Sequence, residues 1–378
     1  MRSTGKACLA AGAAIAMMQL AASQSVFAED KFAGIDVAPT KVGVIADLKD
    51  MKEFCGTKKI KVALSDGYGE NSWRKITRAE FEDEAAKCPN ITEVRYTNGQ
   101  GNPQKQISDI QGLIAQKFDV ILVYPDGGEA ILKAMTQATQ AGAAVVTYDV
   151  GEHFPGTRGK DYLDVTTESL TGVGRTLAEW TVKQLNGSGN VIVLGGTPGN
   201  PTSAAMAIGW KEVFDKAPGI KVLEGPVDTN WDPAESQRVM ASMLAKYPKI
   251  DAVMSDYGLG SMGALRAFVA AGRKIPLWPG QDANELGCFW ADHKADNPDF
   301  KLATVSARTW LVRVALHKAV GAVEGISDTE PSIIVLPLVE DSASSDPALA
   351  PKCDRALPPD AMLSTMLSKD KMEKLFAK

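Results

Sequence analysis

From residue 59 onward the chain repeats one unit, an apolar strand, a turn and a helix, and then runs through the series a second time. A strand followed by a crossover helix returns parallel to itself, so such a series builds a parallel sheet covered by helices on both faces. Residues 59–65 read as the first strand, followed by the turn 66–71 and a helix from Ser72. Residues 92–97 form the second strand, and Asn102-Pro103 opens a helix whose Ile107, Ile110 and Ile114 share one face. Residues 119–124 are a near-continuous apolar run, the type buried on both sides of a parallel sheet. A helix over 130–141 stops at Gly142, and 143–148 is the fourth strand.

The series then restarts. The spacing predicts a helix over 170–185, a strand over 190–194, a turn over 195–201 and a helix through Phe214. A strand over 220–225 comes next, then a helix with Val239, Met240, Met243 and Leu244 inward, a strand over 252–255, a helix through Ala270 and a strand over 275–278. Segments 302–305 and 333–338 flank a helix over 309–324 and come late enough to cross back between the halves. The predicted class is α/β: two doubly wound, Rossmann-like lobes joined by a hinge. The first lobe is expected over 58–155 plus 307–330 and the second over 156–306 plus 331–345. A lead-in over 29–57 and a tail over 346–378 carry no assigned chemistry.

A length of 378 residues, 45% of them hydrophobic, is enough for two domains. The formal charge of −5 argues against a nucleic-acid partner, whose phosphates need a basic face. Three scattered histidines, His153, His293 and His317, do not make a metal site, and no metal or cofactor is expected. Arg2 and Lys6 precede an apolar stretch over 7–20 and the small-residue pattern Val26-Phe27-Ala28, which reads as an export signal (residues 1–28) cleaved after Ala28. The apolar stretch falls short of the roughly 20 residues that span a bilayer. In an oxidising compartment the four remaining cysteines, Cys55, Cys88, Cys288 and Cys353, read as two disulfides with three possible pairings. Topology favours Cys55–Cys88, because Cys55 precedes the first strand and Cys88 ends the helix that returns to the same sheet edge; Cys288–Cys353 would then pin the tail.

Certain strand ends carry a distinctive set of residues. Asn71-Ser72-Trp73-Arg74 follows the first strand, Tyr148-Asp149 ends the fourth, and Asn230-Trp231-Asp232, Ser255-Asp256-Tyr257 and Gly280-Gln281-Asp282 stand in the second half. In this order the chain resembles the type I periplasmic sugar-binding proteins of ABC importers, the ribose-binding-protein-like group, over about residues 58–340. The resemblance implies a periplasmic monomer that captures a sugar or polyol between closing lobes and delivers it to a membrane permease. The implied ligand set is Asn71, Trp73, Arg74, Asp126, Asp149, Met206, Trp231, Asp256, Tyr257 and Asp282. The chemistry suits polyhydroxylated ligands. Carboxylate, guanidinium and amide groups pair with adjacent hydroxyls, and flat rings cover C–H faces. On this reading Asp149 and Asp282 accept from hydroxyls, Asn71 and Arg74 donate, and Trp73 and Trp231 sandwich the ring. Two departures argue against D-ribose itself: Ala204-Ala205-Met206 stands where the group has an Arg, and Ser306 or Ala307 where it offers a Gln.

Rival functions have weaker support. Gly258-Leu-Gly260-Ser-Met-Gly263 matches the dinucleotide fingerprint, with Asp282 about twenty residues on. However, the carboxylate of Asp256 just before the first glycine would oppose a pyrophosphate, and the unit stands late in the chain. The structural alternative is that these glycines let backbones approach closely. Asp149 with Asp282 is a conceivable glycosidase pair, but no nucleophile elbow, zinc-protease motif or phosphate loop is present. An exported oxidoreductase or glycosidase is therefore the alternative. A ligand-sensing partner of a membrane receptor would share the same binding chemistry.

Overall fold

The computed structural model describes residues 31–377 apart from residues 70, 197, 199 and 200. The expected leader and its cleavage point after Ala28 lie outside the described residues. In chain order the elements are β1 (Val42–Gly43), β2 (Ile60–Asp66), α1 (Ser72–Ala85), β3 (Ile91–Asn98), α2 (Pro103–Ala115), β4 (Val120–Tyr124), α3 (Glu129–Gln140), β5 (Ala144–Tyr148), β6 (Asp164–Glu168) and α4 (Leu170–Gln184). Then follow β7 (Ser188–Gly195), α5 (Pro201–Phe214), β8 (Gly219–Asp228), α6 (Pro233–Lys246), β9 (Ala252–Ser255), α7 (Ser261–Ala270), β10 (Trp278–Gln281), α8 (Asn284–His293), β11 (Leu302–Val305), α9 (Leu311–Glu324), β12 (Ile333–Ile334), β13 (Leu338–Asp341) and α10 (Lys369–Phe376).

The first lobe is built on a seven-stranded parallel sheet in the order β1-β12-β6-β5-β4-β2-β3. The second pairs β8-β7-β9 in parallel, and a bridge from Ala252 to Leu277 joins this to β10-β11 with β13 antiparallel at the edge. The chain crosses between lobes after β6, after β11 and after β12. This is the type I periplasmic-binding-protein architecture.

Several expected boundaries move. Residue 155 was to end the first stretch of the first lobe, but β6 pairs with β5, so that stretch runs to Glu168. The segment 333–338 is two short strands, β12 in the first sheet and β13 in the second, because the last crossing falls between them. The strand expected at 275–278 begins only at Trp278. The lead-in has a structural job: β1 is an edge strand, and the Val37 carbonyl accepts from the buried Lys318 ammonium at 2.7 Å. The tail is folded as well, packing along α8 and α1.

Both disulfides are present, Cys55–Cys88 with Cα atoms 5.5 Å apart and Cys288–Cys353 with 4.7 Å. Helix α9 is buried along almost its whole length yet carries three cations. Arg313 pairs with Glu80, Glu84 and, at 2.8 Å, Asp83. His317 bonds Glu330 at 2.9 Å and Glu84 at 3.1 Å, with its ring stacked on Phe54. Ions this deep persist only when every charge is met, and here α1 and the 328–332 loop meet them.

The glycine fingerprint has a packing explanation. A Cβ on Gly263 would lie 1.6 Å from the Pro233 carbonyl oxygen, and one on Gly258 would lie 2.3 Å from that of Gln281. Helices α6 and α7 thus touch backbone to backbone. Gly263→Ala should lower the urea-unfolding free energy by about 3 kcal/mol or more, since neither helix can retreat from a fully packed lobe.

Burial pulls the His317 pKa down, but hydrogen bonds to Glu330 and Glu84 outweigh this and raise it to about 9. A histidine pKa raised on folding gives stability that is whole below the unfolded value near 6.5 and is lost as pH rises through 9. Stability should therefore fall between pH 6.5 and 9 by on the order of 3 kcal/mol, and His317→Gln should flatten that slope in chemical denaturation.

A candidate ligand cleft at the strand ends

In parallel sheets the loops after each strand collect at one edge, and here the two edges face each other across the crossings. On the first lobe β2 ends in Asp66, β4 leads through Tyr124 to Asp126, β5 ends at Tyr148-Asp149 and β6 ends in Glu168. Asn71 caps α1 by accepting from the Arg74 amide at 3.0 Å. This cap starts the helix so that Arg74 reaches back over the strand ends. Its guanidinium lies 2.7 Å from Asp126 and 3.1 Å from Asp66, with its carbon 3.8 Å from the Tyr124 ring centre. Trp73 stands edge-on to Tyr124, and Tyr124 edge-on to Tyr148, each pair 5.5 Å between centroids. The Trp73 indole donates to the Ala307 carbonyl at 2.8 Å. Burial drives the Tyr124 and Tyr148 hydroxyls far above their ordinary pKa, keeping both neutral donors. The Tyr148 hydroxyl and one oxygen of Asp66 are buried and have no protein hydrogen-bond partner.

At the second crossing, Arg308 places its Nε 2.7 Å from Asp149 and 2.7 Å from Glu168. Burial raises the Asp149 pKa well above the usual carboxylate range, and Glu168 adds to this against the opposing Arg308 charge. On the second lobe, Asp256 accepts from the Ser203 hydroxyl and, at 3.0 Å, from the Trp231 indole. Burial raises its pKa to about 6 despite those two donors, and Arg308 lies within electrostatic reach. The Trp231 ring is packed against Gly196, where a Cβ would come within 2.2 Å of it. Asp149, Asn230, Trp231 and Arg308 all hold left-handed backbone, φ 52–55°. Such strain survives only where surrounding contacts fix it, and it concentrates at functional sites.

The expected set thus divides. Asn71, Trp73, Arg74, Asp126 and Asp149 gather on the first lobe, with Trp231, Asp256 and a half-buried Tyr257 on the second. Met206 does not join them: it is wholly buried in the core, its carbonyl pressed against Gly174 of α4. Asp282 has other work. Its two oxygens accept from the Ala307 amide at 2.6 Å and from the Ser364 hydroxyl and amide at 2.8 and 2.9 Å. Arg308, Glu168, Asp66 and Tyr124 were not in the expected set, and Tyr148 was singled out only together with Asp149 at its strand end. Their strand-end positions were a usable signal for all but Arg308, which follows a crossing.

A family model described as a periplasmic binding protein domain matches residues 62–291. The chain belongs to that family, whose members are substrate-binding proteins of transporters and not enzymes. The ribose import binding protein of Bacillus subtilis (strain 168) is 27% identical over 256 residues, which covers 68% of this chain and 78% of that protein. The xylitol-binding protein of Mycolicibacterium smegmatis is 27% identical over 200 residues, 52% of this chain and 55% of its own length. Among solved structures, the myo-inositol-binding protein of Caulobacter shares the fold at a TM-score of 0.61, with 24% identity, 75% of this chain covered and 94% of that one.

The Arg308 clamp is open to a direct test. Arg308→Met leaves two adjacent buried carboxylates, which should cost about 3–5 kcal/mol at pH 7.5. Burial already raises the Asp149 pKa, and losing the opposing Arg308 charge raises it further, so protonation stabilises the native state as pH falls. Much of the loss should return by pH 5 in thermal denaturation.

Proposed function

We propose that the chain is an exported, monomeric solute-binding protein that captures an uncharged sugar, polyol or cyclitol between its lobes and hands it to an ABC importer permease. One observation carries this reading: aromatic rings and paired hydrogen-bonding groups from both lobes converge at the facing strand ends of a hinged α/β pair. Among the described residues, the carboxylates of Asp66, Asp126, Asp149, Glu168 and Asp256 gather at this edge, the first two paired with the Arg74 guanidinium and the next two with that of Arg308. Such a balance repels sugar acids and phosphates, while hydroxyls, which both donate and accept, can join either kind of group. In this reading Asp126 and Arg74 pair with hydroxyls on the first lobe, Asp149 and Arg308 line the floor, and Asp256 accepts from the second lobe. Trp73 and Trp231 cover the C–H faces, and contacts to both lobes favour the closed form. Cleavage after Ala28 would release the mature chain, and among the described residues no helix is long and apolar enough to cross a membrane.

Thermal unfolding of the disulfide-intact protein against pentoses, hexoses, polyols, cyclitols and nucleosides tests this directly. A true ligand at a hundred times its dissociation constant adds about 2.7 kcal/mol and moves the midpoint by a few degrees. Asp149→Ala should abolish that shift. A panel without any shift, or a shift with NAD or FAD alone, overturns the reading.

A further inference from the structure

The tail adds to the second lobe's core and also reaches the first lobe. It leaves β13, is fastened to α8 by Cys288–Cys353, and lays its carbonyls over the start of that helix. Ala361 and Pro359 accept there from the amides of Asn284 and Glu285 at 2.8 and 2.7 Å. It then passes from the second lobe to the first within three residues. Ser364 gives its amide and hydroxyl to Asp282, at the end of β10. Thr365 gives its hydroxyl, and Met366 its amide at 2.8 Å, to Glu80 on α1. Both carboxylates are buried, Glu80 at 0% and Asp282 at 3% exposure. Asp282 thus takes a hydroxyl and an amide from Ser364, and Glu80 takes a hydroxyl from Thr365 and an amide from Met366, one anchor on each lobe. The same stretch is tied to the hinge, since the Ser364 hydroxyl lies 2.8 Å from that of Ser306 and accepts from the Ala307 amide at 3.2 Å. Met362 and Leu367 flank the anchors and are buried with Ile76 of α1 in the second lobe's core cluster. Beyond them Lys371 pairs with Asp83, also on α1.

We propose that residues 362–367 are a built-in strap that holds the two lobes together before any ligand binds, so that opening the cleft requires release of the Glu80 anchor. A protein of two lobes linked only by hinge strands opens at little cost. Here, opening must expose Met362, Leu367 and Ile76 and leave the buried Glu80 carboxylate without two of its donors. The strap rests on the two-lobe hinge of the proposed function but not on any ligand, and its test uses none.

Small-angle X-ray scattering of the intact, ligand-free chain should match the curve calculated from this structure. Ser364→Ala/Thr365→Val, which keeps shape and removes both hydroxyl donors, should give a larger radius of gyration with unchanged circular dichroism. Lys374→Ala, on the exposed face of α10, should leave scattering as in the parent. A parent that scatters as a wider particle, or a folded double variant with the parent's curve, overturns the strap. If the double variant does not fold, amide exchange in the parent decides. The Met366 amide should exchange at least about a hundredfold more slowly than a free amide, and exchange at the free rate overturns the proposal.

Discussion

The cleft depends on where Arg308 sits. β5 and β6 are neighbours in a parallel sheet, and their ends bring Asp149 and Glu168 side by side, both buried. Two carboxylates in such a place repel each other and have lost water, so without a cation they could not share a floor. The cation comes from the second of the three crossings between the lobes, with a left-handed backbone at the point of delivery. The hinge therefore supplies the counter-charge that lets the first lobe's strand ends be acidic. Any rotation about the hinge moves that charge relative to Asp256 across the cleft, so lobe geometry and cleft electrostatics change together.

The same economy operates below the sheet. Helix α9 is the first element after that crossing, and apolar packing alone would let it slide along β4 and β5. Arg313 and His317, fixed by α1 and the 328–332 loop, give it one register. Buried ion pairs add little net stability over apolar side chains but are costly to leave half-made, and so they penalise misplacement. Because α9 follows Arg308 directly, pinning α9 also pins the clamp. Glu80 is shared between Arg313 and the tail, which couples this network to the contact between the lobes.

Much of this was legible in the sequence because it obeys short-range rules. Continuous apolar runs marked the buried strands, Asn71 and Asn102 marked helix starts, and the residues after each strand marked one edge of each sheet. Cys55 and Cys88 could be paired because the helix between them must return to its sheet edge. Legibility ended where distant segments decide. Met206 has the same local setting as a ligand residue, but helix packing against Gly174 turns it inward. Asp282 ends its strand as a ligand carboxylate should, yet a residue more than eighty positions later saturates it. β12 is two residues long and is a strand only because the sheet edge between β1 and β6 receives it. The lead-in and tail show no periodicity because each lies across elements already formed.

Asp282 links these arguments. A carboxylate free to meet a ligand must be solvated when the cleft is empty, or else paired with a group that can leave. Asp149 and Asp126 follow the second course, each paired with an arginine that can also turn to hydroxyls. Asp282 is bonded to two amides and a hydroxyl of its own chain, groups that cannot leave without unpicking the hinge and the tail together. Its charge therefore belongs to the mechanics of the lobes, and in the proposed reading the burden of binding falls on the Asp126–Arg74 and Asp149–Arg308 pairs. The neighbourhood where Ser364 sits is thus taken up by the protein itself, which narrows the cleft on that flank and favours a compact ligand over one extended past α1 and α8.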